Sequence, residues 1–77
     1  MKLNVIGQNQ SEIIFNSGDR ILFSYNTPVA ACINEINYQT EEKYSKTTAK
    51  HISTYFKGAW GVFVKPQSFF NNLIEFI

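Results

Sequence analysis

Seventy-seven residues make one small domain, 1–77, which buries only about 60% of the surface its unfolded chain exposes. One cysteine excludes an internal disulfide. One cysteine with one histidine is too few for an ordinary zinc site, and no stretch reaches the ~20 apolar residues of a membrane span. The formal charge of +1 hides a division: residues 1–42 sum to −3, and residues 43–77 to +4, with five lysines and no acid from Lys43 to Ile74. That half can attract an anionic partner.

In chain order, Leu3 and Val5 alternate with polar neighbours, which predicts a strand over 2–6 ending at Gly7, then a turn at Gln8–Ser11. Residues 12–16 and 20–25 are strand-like and flank the turn signal Asn16-Ser17-Gly18-Asp19. Pro28 lacks an N–H and should open a strand or lie on an edge. Residues 29–33 read as a buried strand that includes the Cys32 thiol, and Asn34-Glu35 closes a hairpin onto 36–42.

The period then changes. Ser45 is placed to cap a helix over 45–57, with Ala49, Ile52 and Phe56 as its apolar stripe and Gly58 as its left-handed stop. A short strand follows at 62–64. Pro66 then opens a helix over 67–76, whose Phe69, Phe70, Leu73, Ile74 and Phe76 form one apolar face. The fold class is therefore α+β: a small antiparallel sheet of hairpins with two helices packed on it. The twelve aromatic residues read either as an unusually ring-rich core or as an interface.

Two segments carry a resemblance: Ser24-Tyr25-Asn26-Thr27-Pro28-Val29-Ala30 and Tyr44-Ser45-Lys46-Thr47-Thr48-Ala49-Lys50-His51-Ile52. Together with the Phe69-Phe70 pair they resemble a family of short proteins of bacteriophages and plasmids, catalogued as a domain of unknown function. The resemblance implies a mobile-element origin and a small α+β domain. It carries no activity across.

Three groups are candidate sites. Tyr44, His51 and Tyr55 read as an aromatic cluster for a phosphate or base, or His51 reads as a half-buried ring bonded to backbone. Ser45-Lys46-Thr47-Thr48 reads as an anion pocket at a helix N-terminus, or as ordinary capping. Lys46, Lys50 and Lys57 fall on one broad helical face, either a phosphate contact or a solvated surface. With Arg20 as the one arginine, base-specific reading of DNA is disfavoured. A Cys32–His51 nucleophile pair is disfavoured by the apolar setting of Cys32.

No catalytic set, metal site or cofactor motif is expected. The expectation is a non-enzymatic accessory protein in the host cytoplasm that binds a host protein, for example as an inhibitor of a defence or replication enzyme. The alternative is a nucleic-acid-binding accessory protein that uses the lysine face. A homodimer through the Phe69/Phe70/Phe76 face is a third form, and no membrane partner is expected.

Overall fold

In the computed structural model, residues 1–59 and 61–75 are described. Three two-residue loops set the first part of the chain. Gln8-Asn9 joins β1 (Lys2–Gly7) to β2 (Gln10–Ile14). Tyr25-Asn26 joins β3 (Arg20–Ser24) to β4 (Thr27–Ile33), and Asn34-Glu35 joins β4 to β5 (Ile36–Thr40). Tyr25, Asn26, Asn34 and Glu35 all take positive φ, between 51° and 69°. This is the twist-matched turn that two-residue hairpins favour, although Tyr25 and Glu35 are unusual residues for it. The β2–β3 connection is longer and turns at Gly18, φ 95°.

The result is a six-stranded sheet in the order β1-β2-β3-β4-β5-β6. The first five strands are antiparallel. The chain then crosses through α1 (Lys46–Tyr55) to lay β6 (Phe63–Lys65) parallel to β5. A crossover of that length is what a parallel pair requires. The last element is α2 (Gln67–Glu75).

The helices lie on opposite faces of the sheet. Ile52 of α1 packs with Leu22, Val29 and Ala30, flanked by Tyr55 and Phe56. Phe70 of α2 packs with Ile21 and Ala31, among Phe15, Phe23, Ile33, Tyr38, Phe69, Leu73 and Ile74. The central strands are thus buried on both sides, which explains the unbroken apolar run at 28–31. A bulge helps. Leu22 pairs with Ala30 but Phe23 pairs with Pro28, so Val29 is the extra residue. It joins Ala30 on the α1 side instead of alternating away.

Pro28 behaves as an edge residue inside a central strand. The β5 partners of β4 begin only at Ala30, so Pro28 overhangs them. Its carbonyl accepts instead from Gln67 Nε2 at 2.7 Å, which ties the start of α2 to the sheet. Gln67 Oε1 in turn accepts from the buried Thr40 hydroxyl at 2.8 Å.

Several boundaries differ from expectation. The β2 strand begins at Gln10, inside the expected turn, and β5 stops at Thr40. Ser45 does cap α1, its Oγ accepting from the Thr48 N–H at 3.1 Å. However, α1 ends at Tyr55, and Gly58 takes its φ of 78° two residues after the Phe56 cap. Ala49 is exposed and Thr48 is buried, so the inward line of α1 runs Thr48–Ile52–Tyr55. Cys32 is half-buried, not enclosed, because it lies opposite Arg20 toward the far end of β4. The Phe70 ring is fully buried against the sheet and Phe69 is half-buried beside it; Phe76 lies outside the described residues.

Candidate functional site: the α1 face and its groove

Strand parity decides what lies beneath α1. Glu12 pairs with Leu22, so both face α1, and Ser24 joins them two residues on. Two polar clusters result. In the first, Glu12 is 7% exposed and accepts from the Tyr55 hydroxyl at 2.7 Å and from Asn4 Nδ2 at 3.1 Å. The Arg20 guanidinium lies 5.5 Å from the centre of the Tyr55 ring. Burial raises the Tyr55 pKa, and its bond to Glu12 raises it further, against the opposing effect of Arg20. For Arg20, burial acts to lower the pKa, but Tyr55, Cys32 and Glu12 together hold it above its ordinary value.

The second cluster is a hydroxyl chain. Ser45 Oγ donates to Thr48 Oγ1 at 3.2 Å, Thr48 Oγ1 lies 3.0 Å from Ser24 Oγ, and Ser24 Oγ lies 2.8 Å from His51 Nδ1. The Tyr25 ring centre is 6.1 Å from that of His51. A serine and a histidine at 2.8 Å have the spacing of a nucleophile and its base. Here Ser24 is 2% exposed and also bonded to α1 through Thr48, so the pair fastens the helix to β3. Among the described residues, every buried side-chain polar atom has a hydrogen-bond partner. Cys32 and His51 stand apart: Cys32 pairs with Arg20, and Ser24, which holds His51, lies four residues further along β3, roughly 13 Å away.

On the other flank of α1, toward β5 and β6, a groove of about 660 Å³ opens. Ile52, Ala49, Gln39 and Val64 line it, with Tyr44 and Lys46 at the helix start. Glu41, Glu42 and Lys43 also border it, so its rim carries both signs of charge. Val64 is 55% exposed and Tyr44 49%. Partial burial raises the Tyr44 pKa, and Glu42 adds to the rise.

The sequence-predicted residues therefore separate into three places. Tyr44 and Lys46 belong to the groove. His51 and Tyr55 lie on the opposite flank, committed to Ser24 and Glu12, so the aromatic trio does not assemble. Lys46, Lys50 and Lys57 are exposed, with Thr47 beside them, but only Lys46 and Lys50 share an outer stripe of α1; the helix ends at Tyr55, so Lys57 lies in the turn that follows and the three-lysine helical face is not formed. Thr48 turns inward, so the helix start keeps capping chemistry and no open pair of hydroxyls. Lys65 lies on the other side of the sheet, its Nζ 5.7 Å from the Phe69 ring centre.

Sequence reasoning missed Glu12, Ser24 and Val64. For Glu12 and Ser24 the signal was present in the alternation: each sits at an inward position of its strand, where an apolar residue is expected. Among the described residues, no group of three or more His, Cys, Asp or Glu side chains could hold a metal ion, and no helix is long and apolar enough to cross a membrane. No curated protein and no solved structure matches the chain. Residues 1–72 do match one family model, so the chain belongs to DUF8033, a family of unknown function.

Proposed function

We propose that this is a non-enzymatic accessory protein of a phage or other mobile element, which acts in the host cytoplasm by binding a host protein. The observation that carries the reading is the groove between α1 and β5–β6. Ile52, Ala49 and Val64 give it apolar surface, its rim is mixed in charge, and β6 presents Val64 to it at 55% exposure. Exposed apolar groups rimmed by polar ones suit a protein partner better than a phosphate backbone. An inhibitor of a defence or replication enzyme is one concrete form.

A photo-crosslinking side chain placed at Val64 tests this in host cells. A discrete adduct from Val64, with none from the exposed control position Ser17, is the expected result. Labelling that is equal at both positions contradicts the reading.

A second reading is favoured by one observation: Lys46 and Lys50 share an exposed stripe of α1, and Lys57 is exposed in the turn just after it. Such a stripe suits nucleic acid, bound weakly and lost as salt rises. A gel shift at low salt that Lys50→Glu abolishes would support it. No shift at low salt would eliminate it.

A further inference from the structure

We propose that the free edge of β1 pairs with β1 of a second copy of this chain, antiparallel and two-fold symmetric about Asn4. This is a different surface from the groove and does not depend on the partner read there. β1 hydrogen-bonds to β2 alone and forms one end of the sheet. Sheet edges are ordinarily blunted by charge, proline or shortness. β1 has six residues, no proline and one charged side chain, Lys2. Leu3 is 67% exposed and Val5 73%, both on the α2 face, where α2 itself covers the neighbourhood of β4. The irregularity in its pairing comes only after Val5 and leaves the Lys2–Val5 stretch regular.

Length and symmetry point to the occupant. The other free edge of this sheet, β6, has three residues, half of what β1 offers. The strand in this chain that matches β1 in length and hydrophobicity at an edge is β1 itself. Leu3 and Val5 flank Asn4 evenly. A two-fold axis at Asn4 sets each Leu3 opposite the mate's Val5, giving two apolar cross-strand pairs on one face. On the other face the two Asn4 amides meet. Each already gives one amide N–H to Glu12 and keeps a second N–H for the mate's carboxamide oxygen. The register also holds the two Lys2 apart, by four residues or roughly 14 Å, which exceeds the ~8 Å screening length at physiological salt. A single strand pair is a small interface, so the dimer is a weak one that concentration controls.

Sedimentation equilibrium of the full chain, from about 10 µM to about 500 µM, reads the mass directly. The expected result is a rise from monomer toward dimer, abolished by Val5→Lys, an exposed change that leaves the fold intact by circular dichroism. A chain that stays monomeric throughout, or a dimer that survives Val5→Lys, overturns the proposal. The register is tested in a Cys32→Ser background. Oxidised Asn4→Cys should give a disulfide-linked dimer and Leu3→Cys little, because only the first places the two thiols directly opposite. Equal crosslinking of both overturns the Asn4 axis. A foreign polypeptide that occupies β1 and displaces the self-pair would make the edge a site for that partner and overturn the proposal as well.

Discussion

The two faces of this sheet are held by different chemistry. Under α2 the contacts are mostly apolar and rich in rings, with one polar tie at the helix start from Gln67 to Thr40 and Pro28: Phe70 is fully buried, with Phe69 edge-on at a centroid distance of 5.1 Å and Tyr38 next to it. Under α1 the apolar cluster is smaller and is flanked by Glu12, Ser24 and Thr48, all buried and all bonded. Apolar packing tolerates rearrangement, whereas a polar network fixes one arrangement and is costly to leave half-made. The α2 face thus gathers the larger apolar cluster. The α1 face supplies a fixed orientation for the helix that carries the lysine stripe and borders the groove.

Substitutions can break that contrast in order of size. Phe70→Ala removes a fully buried ring and should cost about 3–5 kcal/mol, read by denaturant unfolding. Leu73 and Phe56, which periodicity places in the core, are half-buried and should cost less. Glu12→Ala leaves the Tyr55 hydroxyl and the Asn4 amide without their acceptor and should cost about 1–3 kcal/mol. A Glu12→Ala protein as stable as the parent would show that the network under α1 does not anchor the helix.

Tyr55→Phe should be milder, about 1 kcal/mol near neutrality. It should also change the response to alkali. The folded pKa of Tyr55 is raised above its unfolded value, so its contribution is complete below about pH 10 and is lost as pH rises through the folded value. Melts across the alkaline range should fall more steeply for the parent than for Tyr55→Phe. Lys50→Ala should have the smallest effect, within about 0.5 kcal/mol, because the side chain is exposed on the outer stripe of α1.

What the sequence made legible was local. Asn34-Glu35 and Asn16–Asp19 marked turns, Ser45 marked the start of α1, and the Phe69–Ile74 stripe marked a docked helix. What it hid was long-range. The Glu12–Tyr55 bond joins residues 43 apart, and Ser24–His51 joins residues 27 apart, so no local spacing announces them. The Val29 bulge shifts strand parity by one, which alternation alone cannot place. Periodicity gave each helix an apolar stripe but not the face of the sheet that it covers. Nor did it show that α1 makes the crossover that sets β6 parallel to β5 and thereby builds the groove.

The central claim is that exposed apolar groups at the groove serve binding while those under α2 serve folding. Val64→Lys, followed by thermal melting and by capture of the host partner, tests it most directly. The account predicts a melting temperature within about 2 °C of the parent, as for an ordinary surface change, and loss of capture. A protein that unfolds on this substitution, or one that captures its partner undiminished, would contradict it.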